Sequence, residues 1–134
     1  MLIDHTADLG IRVFGKDERQ LYNHAGLALF DLIVHPGPPK KGKIRRISVQ
    51  GMDWPDLMAA WLRELLYLWS GKEILVQNID IKVIKPFMIE ANIECLHFDP
   101  IHHEIRHDIK AVTYHGLDVK QEKKGWTSTI IFDV

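Results

Sequence analysis

The first residues of the chain bring together side chains that could bind a cation. Two carboxylates, an imidazole and a hydroxyl lie close together in the segment Asp4-His5-Thr6-Ala7-Asp8. Carboxylate and hydroxyl oxygens suit hard cations such as Ca²⁺ or Mg²⁺. Asp and Thr also commonly bond to nearby backbone in turns, so this motif alone favours a structural role over a metal site.

A further carboxylate stands near the last residue of the sequence, at Asp133, which precedes Val134. The residues before it alternate as in a strand, and Asp133 falls on the opposite face from Ile130 and Phe132. An acidic residue in that position is ordinary. It would matter for metal binding only if the fold placed Asp133 beside Asp8.

Histidines are concentrated in one third of the chain and could bind zinc or another transition metal. Their spacing matches no established ligand pattern, and Asp99-Pro100 among them indicates a loop. We therefore expect solvated or hydrogen-bonded imidazoles rather than a zinc site. The residues concerned are His97, His102, His103, His107 and His115.

The candidate nucleophiles lack the sequence context of the common hydrolases. Cys95 lies on the apolar face of a predicted strand, where a thiol ionises poorly and acts as a small hydrophobe. None of Ser48, Ser70 and Ser128 lies in a Gly-x-Ser-x-Gly motif, and the sequence has no phosphate-binding glycine loop. Ordinary hydrolase and nucleotidase signatures are therefore absent from the sequence.

One segment of the chain is densely basic. It could contact RNA phosphates or an acidic protein surface. A solvated edge strand is the favoured interpretation, because charged side chains commonly protect sheet edges from pairing. The residues concerned are Lys40, Lys41, Lys43, Arg45 and Arg46.

The composition limits the class of protein. For 134 residues we expect one domain, spanning 1–134, and the formal charge of −1 gives no global attraction to nucleic acid or membrane. No apolar run reaches the roughly 20 residues of a membrane span. The acidic start does not resemble a secretory signal, and the single cysteine excludes an intramolecular disulfide, so we expect a cytoplasmic protein.

Hydrophobic periodicity predicts the element order β-α-β-α-β-β-β-β, an α+β fold with two helices packed on a mostly antiparallel sheet. Helix A is expected from a cap at Asp17 as far as Pro36, and helix B from a cap at Asp53 to Ser70, with Gly71 as its stop. The strands are predicted at 9–14, 44–49, 79–83, 87–95, 109–119 and 126–132, with a polar connection at 120–125.

Two predictions concern packing of the helices. Gly26 lowers helix propensity and is expected to serve close packing. Apolar residues cover most of the circumference of helix B, so its tryptophans are expected to be buried rather than to stack on bases. These are Trp54, Trp61 and Trp69.

Five segments, in this order along essentially the whole chain, resemble the archease family. They are Asp4-His5-Thr6-Ala7-Asp8, Ala28-Leu29-Phe30-Asp31-Leu32-Ile33, Trp61-Leu62-Arg63-Glu64-Leu65-Leu66-Tyr67-Leu68, Lys110-Ala111-Val112-Thr113-Tyr114-His115-Gly116-Leu117 and Ile131-Phe132-Asp133-Val134. The resemblance implies a non-enzymatic activator of an RtcB-type RNA ligase in tRNA splicing. Such a protein promotes guanylylation of the ligase and its repeated turnover, and meets RNA indirectly through the ligase.

The resemblance also implies a divalent-metal site. The family's ligands map onto Asp8 and Asp133, with Val134 contributing an oxygen, and Ca²⁺ is the expected cation, with Mg²⁺ or Mn²⁺ as alternatives. A cation would let neighbouring carboxylates stay ionised at close range. Membership of the same motifs marks Asp4, His5, Thr6, Lys110 and His115 as candidate neighbours of the site.

Two other functions remain open at this point. The first is a metal-dependent enzyme acting on RNA ends or nucleotides, with Asp4, His5 and Asp8 around the cation and His115 nearby. The second is a general RNA-binding or chaperone-like adaptor that uses the basic run 40–46, which the near-zero net charge disfavours.

Overall fold

The computed structural model describes residues 8–134, which form two helices and nine strands and confirm the predicted α+β class. The helices are α1 (Glu18–Ile33) and α2 (Trp54–Lys72). The strands are β1 (Asp8–Gly15), β2 (Val34–His35), β3 (Lys43–Gln50), β4 (Ile74–Lys85), β5 (Met88–His97), β6 (Glu104–Ile105), β7 (Ala111–Val112), β8 (Asp118–Glu122) and β9 (Gly125–Asp133).

The strands form two main sheets and one short pair, and all the pairings within residues 8–134 are antiparallel. The first sheet has the order β1-β9-β7, and β8 also pairs with β9. The second has the order β3-β5-β4, and β2 pairs with β6 alone. The predicted element order missed β2 and β6, because two-residue strands carry no periodicity.

Side-chain caps begin both helices at the predicted residues. The Asp17 carboxylate accepts a hydrogen bond from Gln20 N at 2.8 Å, and the Asp53 carboxylate accepts one from Asp56 N at 2.8 Å. Pro55 lies in the first turn of α2, where its missing N–H leaves no bond unmade. Both predicted starts are therefore confirmed.

The predicted ends of both helices are wrong. The first helix ends at Ile33 rather than near Pro36, because Val34 takes an extended conformation and joins β2. The second continues through Gly71 to Lys72, and Glu73 closes it in the left-handed region with φ 53°. Neither helix of residues 8–134 has the length and apolar character needed to cross a membrane.

The second helix supplies much of the core, as predicted. Trp61 is fully buried and its indole N–H donates to Tyr22 O at 2.8 Å, while Trp69 is also buried and Trp54 is half-buried. The close packing predicted at Gly26 is confirmed, since an added Cβ would lie 2.6 Å from a methyl carbon of Ile79. Gly26 therefore lets the first helix pack closely against β4, and the Trp61 bond joins the two helices.

The strands after the second helix differ from the prediction at the start of β4 and between residues 109 and 125. β4 begins at Ile74, earlier than predicted. Its first three residues are all buried, so this part of the strand does not show the period of two. The predicted strand 109–119 is instead divided into β7 and β8. Leu117 N donates to Tyr114 O at 3.2 Å across a turn in which Gly116 has φ 73°, so the chain reverses direction there. β8 reaches Glu122, and the connection to β9 is shorter than predicted.

Candidate functional site

Strand pairing brings Asp8 and Asp133 together. They are direct partners in the antiparallel register of β1 and β9, and Ala111 of β7 pairs with Asp133 on its other side. Directly opposed residues in an antiparallel pair project from the same face with Cβ atoms roughly 5 Å apart. We call Asp8 and Asp133 the acidic pair.

The hydrophobic core fixes the register that forms the acidic pair. Along β9, Ser128, Ile130 and Phe132 are fully buried, whereas Asp133 is only half-buried on the other face. A slip of one residue would move all these side chains to the opposite face of the sheet. The pairing of Asp8 with Asp133 therefore follows from burial of the apolar face.

The donors of the acidic pair fit a hard cation. Like charges directly opposed across strands are unfavourable unless something offsets them, and carboxylate oxygens are the preferred ligands of Ca²⁺ and Mg²⁺. Among residues 8–134, however, no three His, Cys, Asp or Glu side chains are grouped so that they could hold a metal ion. Any further ligand must be an oxygen such as that of Val134, or come from outside the described residues.

The structure places the predicted neighbours of the acidic pair at different distances from it or leaves them outside the described residues. Asp4, His5 and Thr6 lie outside the described residues. Lys110 is directly beside the pair, because its backbone N–H donates to Asp133 O at 2.8 Å. His115 is exposed in the turn between β7 and β8.

Three residues that sequence reasoning did not select connect this turn to the second helix. The guanidinium carbon of Arg63 lies 4.4 Å from the centroid of the Tyr114 ring, and the Tyr114 hydroxyl donates to Asp56 at 3.1 Å. A shallow cleft of about 580 Å³ lies between this helix face and the segment Lys110–Val112. The sequence carried one signal for this contact, since Arg63 places a charge within the apolar second helix.

Several candidate nucleophiles and histidines outside the acidic pair are buried or hydrogen-bonded within the fold. Burial raises the pKa of the Cys95 thiol, as expected for a core residue. Ser128 is buried and donates to Asp118 O at 2.7 Å. Asp99 bonds to both His102 and His103, so these two imidazoles have the hydrogen-bonded role expected for them.

The basic run lies at an edge, as predicted. Among the strands of residues 8–134, β3 pairs only with β5, and Lys43, Arg45 and Arg46 are exposed along it. An edge strand with these charges resists pairing with another chain. Lys40 and Lys41, which precede the strand, are exposed as well.

These features define a small α+β protein whose distinguishing groups are an acidic pair on one sheet and a basic edge on the other. A model of the archease protein family matches residues 1–134. The chain belongs to the archease family. Protein archease of Pyrococcus abyssi is 29% identical over 135 residues, covering 98% of this chain and 95% of the relative. That of Pyrococcus furiosus is 30% identical over 135 residues, with the same coverage of 98% and 95%.

Two solved structures share the fold. The solution structure of protein 1598 of Methanobacterium thermoautotrophicum matches with a TM-score of 0.78 and 26% identity, covering 98% of this chain and 96% of that one. The crystal structure of an archease of Thermotoga maritima, described as a possible chaperone, matches with a TM-score of 0.65 and 18% identity. It covers 100% of this chain and 96% of that one, and at this identity the likeness concerns the fold alone.

Proposed function

We propose that this protein activates an RtcB-type RNA ligase in tRNA splicing, promoting guanylylation and repeated turnover of the ligase, through a divalent cation held at Asp8, Asp133 and Val134. The observation that carries the proposal is the direct pairing of Asp8 with Asp133 across β1 and β9. Membership of the archease family supports it, since the family resemblance implies metal ligands at these two aspartates.

The acidic pair is held by the backbone of three strands rather than by flexible side-chain contacts. β1 and β7 flank β9, and the Lys110 N–H to Asp133 O bond continues this pairing beyond Ala111. Such a framework keeps two oxygen donors close together before any ligand binds. A bound divalent cation would offset the charge of the two carboxylates and let both stay ionised at close range.

The second helix and the turn before β8 give the site a rigid border. Arg63, Tyr114 and Asp56 form a continuous chain of contacts from the helix to the turn. Arg63 and Lys110 both line the shallow cleft, and the Lys110 N–H also bonds to Asp133 O. We propose that this face contacts the ligase and that the protein supplies no nucleophile of its own.

The experiment is a guanylylation assay of a matched ligase with GTP and divalent metal. The rate is measured with and without substoichiometric amounts of this protein, and also without ligase. Acceleration that requires both proteins supports activation. Turnover of RNA or nucleotide by this protein alone would instead favour a metal-dependent enzyme.

Substitutions separate the acidic pair from the rest of the surface. Asp8→Ala and Asp133→Ala should each lose most of the acceleration, whereas Asp80→Asn should keep it. Asp80 is a suitable control because it is exposed on β4 of the other sheet and bridges only Lys82 among the described residues. Folded Asp8→Ala and Asp133→Ala proteins that activate at the wild-type rate would rule out the acidic pair as the working site.

A further inference from the structure

A larger cleft lies at the end of the β3-β5-β4 sheet and includes neither residue of the acidic pair. Its volume is about 720 Å³, within the roughly 300–1,000 Å³ of small-molecule sites. Segments 38–43 and 98–103 form its walls, and residues of β3, β4 and β5 form its floor. We call it the basic cleft.

Hydrogen bonds between neighbouring side chains and its backbone fix the wall formed by segment 38–43. The Gln77 side chain donates to Lys40 O at 2.6 Å, and Gly42 N donates to a Glu94 carboxylate oxygen at 3.3 Å. An added Cβ at Gly42 would lie 2.4 Å from Cys95 O, so only glycine lets the chain pass this close to β5. The cleft is therefore a built feature of the fold.

Positive charge dominates the lining of the basic cleft. Its carboxylate, Asp99, lies 2.8 Å from His102 Nδ1, and this hydrogen bond holds the pKa of Asp99 below its usual value. Within residues 8–134 no salt bridge engages any of the four cationic side chains. These are Lys40, Lys41, Lys43 and Arg45. The chain has a net charge of −1, so this concentration of positive charge is local.

The floor of the cleft is apolar, and an aromatic residue of one wall borders it. Ile74 and Leu96 line it beside Phe98, which is half-buried. The Phe98 ring stacks with His103 at a centroid distance of 5.9 Å and meets Trp69 edge-on at 5.3 Å. These contacts hold a flat apolar wall next to the cations.

We propose that the basic cleft binds a nucleoside phosphate, either a free nucleotide or the terminal residue of a single strand. Ammonium and guanidinium groups are strong donors to phosphate oxygens, and a planar base covers an apolar aromatic wall. Asp and Glu side chains of an acidic peptide would satisfy the cations but would themselves bring no planar apolar group to Leu96 and Phe98. The inference goes beyond the proposed function, which depends on the acidic pair.

The test is an NMR titration of the full-length protein with adenosine 5′-monophosphate, compared with adenosine and with inorganic phosphate. Saturable shifts are expected at Leu96 and Phe98. Adenosine should bind roughly tenfold more weakly or worse, because it lacks the charge-assisted bonds. A short 5′-phosphorylated single-stranded RNA distinguishes the two sources: tighter binding than the mononucleotide assigns a strand end, and equal binding assigns a free nucleotide.

A pair of matched double variants makes the test specific. Lys41→Gln with Lys43→Gln removes two charges from the cleft, and Lys123→Gln with Lys124→Gln removes two from the exposed β8–β9 turn. The cleft variant should bind the nucleotide about tenfold more weakly or worse, and the turn variant should bind like the wild type. Thermal melts check that both variants stay folded.

Three outcomes would overturn the proposal. One is the absence of saturable shifts at Leu96 and Phe98. Another is an equal loss of affinity in both double variants, which would indicate diffuse attraction by surface charge. The last is tighter binding of a short polyglutamate peptide than of the nucleotide, which would assign the cleft to an acidic protein segment.

Discussion

The acidic pair and the basic cleft are assembled in opposite ways. The acidic pair combines Asp8 and Asp133, which are far apart in sequence and become neighbours through one strand register. The basic cleft takes its charge from the contiguous segment 40–45 but gains its cavity from the distant loop 98–103. Strand pairing therefore creates the first site, and loop packing creates the second.

The largest effect should come from breaking the core that sets the strand register. Phe132 is fully buried beside Asp133, and Phe132→Ala is expected to cost about 3–5 kcal/mol of unfolding free energy. Urea denaturation followed by circular dichroism measures this loss. The control is Phe14→Ala on β1, where the side chain is 60% exposed and the expected cost is below about 0.5 kcal/mol. Equal losses would show that burial of Phe132 does not hold β9 in register.

A smaller effect should come from breaking the wall of the basic cleft. Gly42→Ala places a Cβ 2.4 Å from the backbone oxygen of Cys95, and overpacking of this kind costs about 1–3 kcal/mol. Gly10→Ala on β1 is the matched control, because its new Cβ would have its nearest neighbours at 4.0 Å. Denaturation midpoints compare the two. If Gly42→Ala proves as mild as Gly10→Ala, the segment 38–43 can move and does not form a fixed wall.

Much of the fold could be predicted from the sequence where local chemistry decides the outcome. The caps at Asp17 and Asp53 and the close packing of Gly26 are confirmed, because each depends on residue type and nearby spacing. The helix ends were wrong because tertiary pairing decided them. Val34 of β2 pairs with Ile105 of β6, and Glu73 adopts the left-handed conformation in place of the glycine two residues earlier.

The two sites were visible to different degrees. Periodicity placed Asp133 on the strand face opposite Ile130 and Phe132. It could not say that its partner is Asp8, since pairing depends on the whole sheet, and only the family resemblance joined the two residues. The basic run was recognised, and its edge position is confirmed. The cleft beside it could not be predicted, because its second wall comes from a loop that carries no periodic signal.

The smallest expected effect concerns the charge repulsion within the acidic pair. Without divalent metal, Asp8→Asn should leave stability unchanged or raise it by less than about 1 kcal/mol, because it removes a like charge directly opposite Asp133. With saturating Ca²⁺ the order should reverse, since a ligand that binds only the folded state stabilises the wild type and the variant has lost a ligand. Melting temperatures in EDTA and in Ca²⁺ measure both states, with Asp80→Asn as the control that responds to Ca²⁺ like the wild type. A wild-type melting temperature that is the same in EDTA, Ca²⁺, Mg²⁺ and Mn²⁺ would remove the cation from the proposal. The EDTA comparison alone would still show whether repulsion between Asp8 and Asp133 weakens the pairing of β1 with β9.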